Sequence, residues 1–440
     1  MTGSRPALPR GPFLVAGLAR SGAAAARALT ERGEEVIGVD SGSPAAQEFE
    51  FEHHLDTDGV GLVARARTLI KSPGVPGEAP VLRAARAGGL AILGELELAW
   101  RLLGAAHEWI AVTGTNGKTT TVELIGAIHR EAALPVAVAG NVGRPLSALS
   151  GKLSADATIV CEASSFQLED TLEFAPEAAV LLNVAADHLD RHGTLAAYRA
   201  AKLEIFARQG NHDVAVAPES ERRDDLGGCA RRVWFGSGPE AELSDRAGQL
   251  WWCEEPLVAH GDIRLRGAHN RLNAMAAAAA CLARGVDPEA VRAGLRSFAG
   301  VSHRLEEVAV HDGVLFVNDS KATNVASTLV ALRAFEAPRR GIHLILGGQG
   351  KGQDFTPLRE VVARSCSAVY VVGEDAPRLV SALDGASVAV RQSGDLARAV
   401  QDARSAAQPG EVVLLSPACA SLDQWEDFEA RGDAFRQLTR

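Results

Sequence analysis

The chain has 440 residues, which exceeds what one hydrophobic core usually supports and predicts two or three domains. Apolar residues make up 47% and charged residues 23% of the chain, which excludes a largely disordered protein. The formal net charge is −10 and Lys and Arg form no run, which excludes a basic stripe along a nucleic acid. We therefore expect no nucleic-acid partner.

Cysteine use and hydropathy indicate the compartment. The six cysteines lie far apart without a C-x-x-C pair, which is typical of buried thiols in a reducing compartment. The N-terminal apolar run resembles a secretory signal, but Arg20 and Arg27 interrupt it early. The alanine-rich stretch 273–285 is too short to span a bilayer. We expect a cytoplasmic protein without membrane insertion.

The first elements alternate between strand and helix patterns, which predicts a parallel α/β domain over residues 1–94. The strand "PFLVAG" leads into "GLARSG", Gly17 to Gly22, and then into a helix, and Asp40 closes the next strand. This layout imitates a dinucleotide fingerprint. Ala19 replaces the second glycine, where a pyrophosphate must approach the backbone most closely, so a nicotinamide cofactor is only an alternative.

Two further α/β segments follow. Strands such as "EWIAVTG" and "AAVLLNVAADH" predict a central domain over residues 95–302, with β-rich segments from "DVAVAP" to "DIRLRG" before a helix near Asn270. From His303 the alternation begins again and predicts a third domain over residues 303–440. The predicted fold class is α/β with three domains. These are a Rossmann-like N-terminal domain, a central P-loop-type ATPase domain with a mostly parallel sheet, and a Rossmann-like C-terminal domain.

The segment "VTGTNGKTTT" predicts a phosphate-binding loop between a strand and a helix. Glycines allow successive N–H groups to face an anion, Lys118 would reach the terminal phosphates, and the Thr119 hydroxyl would reach Mg²⁺. Only two residues separate Gly114 from Gly117, whereas the common pattern has four. The alternative is a tight turn in which a threonine caps the helix.

Polar residues end two neighbouring apolar strands of the central segment. Glu162 closes one strand, and Asp187 and His188 follow another. Groups leaving neighbouring parallel strands at their carboxyl ends would meet in one crevice, where a carboxylate can touch Mg²⁺. A loop histidine bonded to its surroundings is the alternative for His188, and a solvent-facing helix residue is the alternative for Lys202.

Taken together, these motifs resemble the Mur ligases, the ATP-dependent amide-forming family of peptidoglycan precursor synthesis. The short loop "TGTNGKTT" is similar to this family's own variant of the phosphate loop. The segments "EASSFQLE", "NVAADHLDRHGTLAAYRAAKLEIF", "VNDSKATN", "GGQGKGQDF" and "LLSPACASLDQWEDFEARGDAF" resemble the D-glutamate-adding branch most closely. The D-N-P-R box of the diamino-acid ligases and the H-H-P-T-E segment of the L-alanine ligases are both absent from the sequence.

The resemblance implies a set of residues for each ligand. ATP would be bound by Gly114, Thr115, Asn116, Gly117, Lys118, Thr119, Thr120, Asn270, Asn273, Arg304 and Asp319. Two Mg²⁺ ions would be held by Thr119, Glu162, His188 and Lys202, the last of these carbamylated. The catalytic residues would be Lys118, His188, Lys202 and Lys321. Helix capping is the alternative for Asn270 and Asn273.

The resemblance also implies contacts to UDP-MurNAc-L-Ala and to D-glutamate. The UDP-linked substrate would be bound by Arg20, Ser21, Asp40, Ser41, Gly74, Asn141 and His188. D-glutamate would be bound by Thr323, Lys351, Ser421 and Phe428. A helix cap is the alternative for Ser21, and a turn residue is the alternative for Asp40. We expect a monomer.

The implied reaction activates a carboxylate, because a free carboxylate does not react usefully with an amine at neutral pH. The alanyl carboxylate would take the γ-phosphoryl group of ATP, and the amine of D-glutamate would displace phosphate from the acyl phosphate. The alternatives are an NAD-dependent oxidoreductase or redox-sensing module, a sibling Mur or folylpolyglutamate-type ligase that takes another amino acid, and a non-catalytic nucleotide-binding scaffold.

Overall fold

A computed structural model describes residues 5–44, 49–141, 143–265, 267–335 and 341–440, with the backbone alone for residues 189 and 190. The described residues form two compact units. Residues of Met1–Ile263 and His269–Phe298 form the first unit, and Arg264–Ala268 with Ala299–Arg440 form the second. Strands and helices alternate through both units, so the predicted α/β fold class is confirmed.

The first sheet is parallel throughout, with strand order β3-β2-β1-β4-β5. Its strands are β1 (Phe13–Ala16), β2 (Val36–Val39), β3 (Glu52–His54), β4 (Thr68–Lys71) and β5 (Ala91–Gly94). The helices of this part are α1 (Arg20–Glu31), α2 (Pro80–Ala87) and α3 (Glu95–Leu103). All four residues of β1 are buried, as expected for a central strand that is covered on both faces. The order is that of a Rossmann-type sheet.

The second sheet has nine strands in the order β14-β13-β12-β11-β10-β9-β6-β8-β7. Its strands are β6 (Trp109–Thr113), β7 (Val136–Gly140), β8 (Thr158–Glu162), β9 (Ala178–Leu181), β10 (Val214–Pro218), β11 (Arg231–Gly236), β12 (Leu243–Arg246), β13 (Gln249–Trp252) and β14 (Glu255–Ala259). The pairing is parallel from β7 to β12, and the last two pairs are antiparallel. The predicted mostly parallel central sheet with a β-rich end is therefore confirmed.

Six helices accompany the second sheet within the described residues. They are α4 (Lys118–Glu131), α5 (Ser165–Leu168), α6 (Leu189–His192), α7 (Leu195–Leu203), α8 (Ala268–Ala283) and α9 (Pro288–Ser297). Short 3-10 turns cover Val60–Arg65, Leu146–Leu149, Glu219–Glu221 and His260–Asp262. The strand predicted at "DIRLRG" is wrong for the described residues 262–265 and 267, which form no strand after β14 ends at Ala259.

Helix α3 packs into two cores of the first unit. Leu98 and Leu102 belong to the core of the first sheet, whereas Leu96 and Trp100 belong to the core of the second. Successive residues of a helix point in different directions, so one short helix can fill both cores when apolar residues occupy two of its faces. The first and second sheets are therefore joined by shared apolar packing.

Polar contacts reinforce this junction. The Lys71 ammonium is buried and lies 2.5 Å from the Asp170 carboxylate, which links β4 to the segment after α5. Glu97 is fully buried and accepts hydrogen bonds from the backbone N–H groups of residues 172–174. The Arg5 guanidinium donates to the Trp100 carbonyl and lies 5.1 Å from the centroid of the Trp100 ring.

The second unit contains a six-stranded sheet with the order β15-β16-β20-β17-β18-β19. Its strands are β15 (Glu306–His311), β16 (Val314–Asn318), β17 (Ile342–Gly347), β18 (Cys366–Val372), β19 (Ala389–Gly394) and β20 (Val412–Leu415). Its helices are α10 (Val325–Ala334), α11 (Leu358–Ser365), α12 (Ala376–Ala382), α13 (Leu396–Ala406) and α14 (Phe428–Leu438). Among these described strands, the β15–β16 pair is antiparallel and the other pairs are parallel.

The six cysteines divide into buried and exposed thiols. Four of the six cysteines are buried thiols, but Cys229 and Cys253 are exposed, so burial was wrong for these two. Cys253 occupies the tight turn between β13 and β14 with φ +53°, a position that leaves its side chain outside the core. Among the described residues, no helix is both long enough and apolar enough to cross a bilayer.

Candidate active site

The phosphate loop follows β6 and ends where α4 begins at Lys118. Gly114 has φ +155° and Gly117 has φ +90°, values that L side chains rarely adopt. Gly117 is the N-cap residue of α4 and makes no side-chain cap bond, so the alternative in which a threonine caps this helix is wrong. The loop leads directly into a helix N-terminus, which favours an anion.

Asn183, just beyond β9, holds the loop in shape. The Thr115 N–H donates to the Asn183 carbonyl at 3.0 Å. The Asn116 N–H donates to Asn183 Oδ1, and Asn183 Nδ2 donates back to the Asn116 carbonyl, each at 3.0 Å. Sequence reasoning missed this residue, although a polar side chain directly after the apolar run "AAVLL" is the signal that could have found it.

The Lys118 side chain folds back onto the loop. Its Nζ donates to the carbonyl oxygens of Gly114 and Thr115 at 2.9 and 3.0 Å. Thr120 lies in the same first turn of α4 and is buried. A phosphate held by the loop N–H groups would therefore meet an ammonium group that needs only a side-chain rotation to contact it.

Thr119 and Glu162 meet at the ends of α4 and β8. The Thr119 hydroxyl donates to Glu162 Oε2 at 2.8 Å, and Asn141 Nδ2 donates to Glu162 Oε1 at 3.1 Å. Glu162 is buried, and no Lys or Arg is among these partners. A hydroxyl and a carboxylate oxygen in contact beside a phosphate loop form a donor set that fits Mg²⁺.

Lys202 is buried on α7 and reaches the same loop. Its Nζ donates to the Gly114 carbonyl at 2.8 Å and lies 4.4 Å from the centroid of the Tyr198 ring. Burial, together with the charge of Lys118, lowers the pKa of Lys202 to about 7. The alternative of a solvent-facing helix residue is therefore wrong for Lys202.

His188 lies beside this cluster with its side chain about half exposed, 49%. It adopts φ +50°, and its ring centroid is 5.0 Å from that of Phe166 and 6.3 Å from that of Tyr198. The predicted adjacency of the two strands needs correction. The strand that ends at Glu162 and the strand that precedes His188 flank β6 on opposite sides and do not pair with each other.

Among the residues that the structure describes, no three His, Cys, Asp or Glu side chains form a metal-binding group by themselves. The four predicted metal ligands nevertheless lie at the same end of the central sheet. Thr119 contacts Glu162, Lys202 contacts the loop, and His188 adjoins Tyr198. The threonine hydroxyl and the carboxylate are oxygen ligands of the kind that Mg²⁺ prefers, whereas Lys202 could serve as a ligand only with an added oxygen group.

His192 is a second histidine near the site, and sequence reasoning missed it. Its imidazole lies 3.1 Å from the Ser165 hydroxyl and 3.0 Å from the Glu169 carboxylate. The ring stacks on Phe166 at 5.5 Å and contacts the Tyr198 ring at 5.0 Å. Ser165 is buried, so this group fastens α6 to α5 and does not present an accessible nucleophile.

Asn270 and Asn273 lie in the first two turns of α8. Asn273 Nδ2 donates to Asn270 Oδ1 at 3.2 Å. A Cβ placed on Gly117 would lie only 2.1 Å from Asn273 Oδ1, so α8 packs directly against the phosphate loop. Asn273 is in the second turn, beyond the capping position, so helix capping is wrong for this residue.

In the first sheet, Asp40 organises the "GLARSG" loop. Its two carboxylate oxygens accept from the N–H groups of Leu18 at 2.6 Å and Gly42 at 2.9 Å. These contacts favour the turn-residue alternative for Asp40. Ala19 is the N-cap residue of α1, so Ser21 is not the helix cap. Arg20 donates to the Gly143 carbonyl at 3.0 Å and so reaches the central sheet.

The other predicted residues for the UDP-linked substrate lie on loops at the carboxyl ends of the strands. Ser41 follows β2 and is exposed, and Gly74 follows β4 with nothing within 4 Å of a Cβ placed on it. Arg191 links this loop to the central sheet, because it donates to the Pro73 carbonyl at 3.4 Å and covers the Phe166 ring at 4.0 Å.

The predicted nucleotide residues Arg304 and Asp319 belong to the second unit. Asp319 is buried, and its carboxylate accepts from the Ser416 hydroxyl at 2.8 Å and from the Leu305 N–H at 3.2 Å. Burial raises the pKa of the Asp319 carboxyl to about 7, and the charge of Arg304 opposes this rise.

The predicted D-glutamate residues follow three parallel strands of the second unit. Thr323 follows β16, Lys351 follows β17 with φ +49°, and Ser421 follows β20 and is buried. Phe428 begins α14, and its ring centroid lies 5.3 Å from the Lys321 Nζ. The carboxyl ends of parallel strands are a common place for a ligand site.

Arg431, which sequence reasoning missed, ties these loops together. Its buried guanidinium donates to the Ser320 carbonyl at 2.8 Å and to the Cys419 carbonyl at 3.1 Å. The Ser320 hydroxyl in turn donates to the Phe428 carbonyl at 2.8 Å. One arginine thus connects the loops after β16 and β20 to the start of α14.

Comparison with protein families gives two matches. The family described as the Mur ligase middle domain matches residues 112–281, which include the phosphate loop, Glu162, His188 and Lys202. The family described as the Mur ligase, glutamate ligase domain matches residues 303–419.

Relatives and solved structures agree with these matches. The UDP-N-acetylmuramoylalanine--D-glutamate ligase of Acidobacterium capsulatum is 42% identical in an alignment of 445 positions that covers 97% of this chain and 95% of the relative. The UDP-N-acetylmuramate-alanine ligase of Thermotoga maritima superposes with a TM-score of 0.59 at 19% identity, covering 97% of this chain and 99% of that one. The MurF ligase of the same organism, solved in complex with ADP, gives 0.58 at 18% identity, covering 92% and 95%. The chain therefore belongs to the Mur ligase family.

Proposed function

We propose that this chain is the ligase that joins D-glutamate to UDP-N-acetylmuramoyl-L-alanine in peptidoglycan precursor synthesis, with ATP converted to ADP and phosphate. The choice of substrates rests on one observation, the 42% identity over 97% of the chain to a ligase named for this reaction. The use of ATP is supported independently by the phosphate loop, which leads into Lys118 and Thr119 and which Lys202 contacts. UDP binding is assigned to residues 1–94, ATP binding to residues 95–302 and amino-acid binding to residues 303–440.

In the first step, a carboxylate oxygen of the alanyl group attacks the γ-phosphorus of ATP, and the bond from phosphorus to the oxygen of ADP breaks. Gly114 and Gly117 leave room for the phosphates at the N-terminus of α4. Lys118 turns from the carbonyls that it now contacts to the transferred phosphoryl group and neutralises its charge. The product is an acyl phosphate.

Thr119 and Glu162 are proposed to hold one Mg²⁺, and His188 with carbamylated Lys202 a second, where the ions would neutralise phosphate charge. Carbamylation joins the Lys202 amine to CO₂ and releases a proton, which requires the neutral amine. A pKa of about 7 makes that form available near neutral pH. The modification replaces a buried cation with an anionic oxygen group, which suits a metal site.

Three further sets of residues are assigned by the same proposal. Asn270, Asn273, Arg304 and Asp319 bind the adenosine and phosphates of ATP, because amides can pair with the adenine edge and carboxylates with ribose hydroxyls. The UDP-linked substrate is assigned to Arg20, Ser21, Asp40, Ser41, Gly74, Asn141 and His188. D-glutamate is assigned to Thr323, Lys351, Ser421 and Phe428, with Lys321 beside the reacting groups.

In the second step, the neutral amine of D-glutamate attacks the carbonyl carbon of the acyl phosphate. The tetrahedral species collapses with loss of phosphate, which takes the electron pair of the broken carbon–oxygen bond, and the amine proton is released. Two separated anchors are needed for a dicarboxylate, and Lys351 and the Ser421 loop supply a cation and hydrogen-bond donors for them.

One experiment tests this function. The protein is incubated with ATP, Mg²⁺ and UDP-MurNAc-L-Ala together with D-glutamate, L-glutamate, L-lysine or meso-diaminopimelate, and the products are weighed. We expect a new UDP-linked product and equal amounts of ADP and phosphate with D-glutamate alone. The Lys118→Ala variant should form none. Release of AMP, or a product with another amino acid but none with D-glutamate, would contradict the proposal.

The proposal extends to the compartment and the oligomeric state. All six cysteines are free thiols, which suits a reducing cytoplasm. A monomer is proposed, and sedimentation of the purified protein at assay concentration tests it.

A further inference from the structure

Gln353 lies on the loop after β17, two residues beyond Lys351, and its side chain reaches two other loops. Its Oε1 accepts from the Val325 N–H at 3.0 Å. Its Nε2 donates to the Ala418 carbonyl, also at 3.0 Å. Both polar ends of one side chain are therefore engaged, in segments that are distant from each other along the chain.

Each contact lies close to a residue assigned to D-glutamate. Val325 is the first residue of α10, and Thr323 lies two positions before it. Ala418 belongs to the segment that leads to Ser421, and it is fully buried with φ +59°. Gln353 thus connects the loop that carries Lys351 to the loops that carry Thr323 and Ser421.

The backbone around Gln353 is itself held from both sides. The Gln353 N–H donates to the Gly350 carbonyl at 3.1 Å, which closes the turn that contains Lys351. The Gln353 carbonyl accepts from Arg378 at 2.9 Å, and Asp375 accepts from the Gly350 N–H at 2.5 Å. Because the turn is fixed, the side chain of Gln353 transmits its position to the other two loops.

These loops would be less well ordered without Gln353. The N–H groups of the first turn of a helix have no partner within the helix, so Val325 depends on an acceptor outside it. A buried carbonyl such as that of Ala418 likewise requires a donor. Loss of both bonds would let the three loops adopt arrangements in which the residues assigned to D-glutamate no longer converge. The apparent affinity for D-glutamate would then fall in proportion to the fraction of molecules in the arrangement that can bind it.

We propose that Gln353 is a positioning residue for the acidic amino-acid substrate. Gln353 does not touch the substrate in this account. It sets the distances among the three loops that bind the two carboxylates. The inference rests on the proposed function, because the assignment of the loops to D-glutamate belongs to it.

The test compares Gln353→Met, which keeps the side-chain length and removes both hydrogen bonds, with Gln401→Met on the exposed face of α13. Phosphate release is measured while each substrate is varied in turn. We expect the KM for D-glutamate to rise at least about tenfold in Gln353→Met, because each of the two lost hydrogen bonds corresponds to a factor of about five. The KM values for ATP and the UDP-linked substrate should stay within about twofold of the wild-type values, because a change at one site has little effect on independent sites elsewhere in the protein. Gln401→Met should match the wild type.

Gln353→Glu serves as the second variant, because it keeps an acceptor for Val325 and loses the donor to Ala418. We expect its KM for D-glutamate to lie above that of wild type, because a carboxylate oxygen would replace the donor to the Ala418 carbonyl. If Gln353→Met does not fold, the KM of Gln353→Glu decides alone. An unchanged KM for D-glutamate in an active variant, or an equal change in all three KM values, overturns the inference. A wild-type protein without D-glutamate-dependent phosphate release overturns the proposed function as well.

Discussion

Lys202 shows how burial prepares a side chain for chemistry. A solvated lysine is almost entirely protonated at neutral pH, whereas burial lowers the pKa of Lys202 to about 7. In its protonated form, the Lys202 ammonium group is stabilised by contacts with the Gly114 carbonyl and the Tyr198 ring. The residue can therefore alternate between an ammonium group and an amine without leaving its place beside the phosphate loop.

We predict that Lys202→Arg lowers kcat by about 10- to 100-fold and removes any dependence of activity on dissolved CO₂. Arginine stays protonated and cannot be carbamylated under these conditions. In wild type depleted of CO₂, added bicarbonate should restore activity faster above the Lys202 pKa of about 7 than below it. Lys152→Arg, at an exposed lysine, should behave like wild type. Full activity of Lys202→Arg would remove Lys202 from the mechanism.

The buried carboxyl group of Asp319 should make the stability of the second unit depend on pH. Its carboxyl has a pKa of about 7 in the folded protein, against 3.8 for the ordinary group. Between these values the folded state binds more protons than the unfolded state, so stability falls as pH rises through this window. We expect the free energy of unfolding to fall by on the order of a few kcal/mol across it.

The measurement is chemical denaturation of wild type and Asp319→Asn over this pH range. Asparagine has no proton to lose, so the variant should show a flatter dependence than wild type. Asp354→Asn is the matched control, because hydrogen bonds from Thr356 lower the pKa of this exposed carboxyl. A wild-type stability that rises from low pH to neutral in parallel with Asp319→Asn would contradict the assignment.

The turn from β6 into α4 depends on a glycine for two separate reasons. Gly117 needs a positive φ, and its missing Cβ is also the space that Asn273 of α8 occupies. Gly285, just beyond the C-terminus of α8, also has a positive φ, +86°, but has nothing within 4 Å of a Cβ placed on it. Substitution of Gly285 therefore measures the cost of backbone strain alone, whereas substitution of Gly117 adds the cost of displacing Asn273.

We predict that Gly117→Ala destabilises the protein by about 2–4 kcal/mol, whereas Gly285→Ala costs only about 1 kcal/mol. Gly117→Ala should also raise the dissociation constant for ATP, because Asn273 must move away from the loop. Gly285→Ala should leave it unchanged. Denaturant unfolding and nucleotide titration measure the two effects. Equal costs for both variants would show that the packing of α8 on the loop contributes nothing.

Local patterns were enough to predict most elements, because strand and helix periodicity is written in adjacent residues. The strand "WIAVTG", the glycine-rich turn and the following helix need no distant partner to be recognised. The predicted strand at "DIRLRG" failed because β14 already ends the sheet at Ala259. No local pattern showed where the sheet would stop.

Site residues that belong to a sequence motif could be predicted. Site residues that are recognised only by their contacts with distant parts of the chain could not. Asn183 acts on Asn116, and Arg431 acts on Ser320, across 67 and 111 residues of chain. Their side chains are ordinary for a loop and a helix, so only the folded arrangement shows that they hold the site. Likewise, single-sequence reasoning could not show that the strands leading to Glu162 and His188 flank β6 instead of pairing.

The first unit is held together by a buried ion pair as well as by apolar packing. The Lys71 side chain is 2% exposed and that of Asp170 is 20% exposed, at a separation of 2.5 Å. A surface counterpart in the same unit, Arg65 with Glu52, has side chains 47% and 43% exposed. Removal of one partner from a buried pair leaves an uncompensated charge, whereas solvent compensates a surface pair.

We predict that Asp170→Asn destabilises the first unit by about 3 kcal/mol, and that Glu52→Gln leaves its stability almost unchanged. The midpoint of urea unfolding measures the difference. The buried pair should keep most of its effect in high salt, because water and ions do not reach Lys71. Similar losses in the two variants would contradict a special role for the buried pair.

Helix α3 determines how this chain can be divided. Since Leu98 and Leu102 complete one apolar interior and Leu96 and Trp100 complete the next, a fragment that stops at Gly94 lacks the cover for β1 and β4. Such a fragment should aggregate or bind a hydrophobic dye when expressed alone. Extension to Leu103 would cover the first interior but expose the opposite side of the helix to water. A soluble piece of this protein should therefore retain both sheets of the first unit.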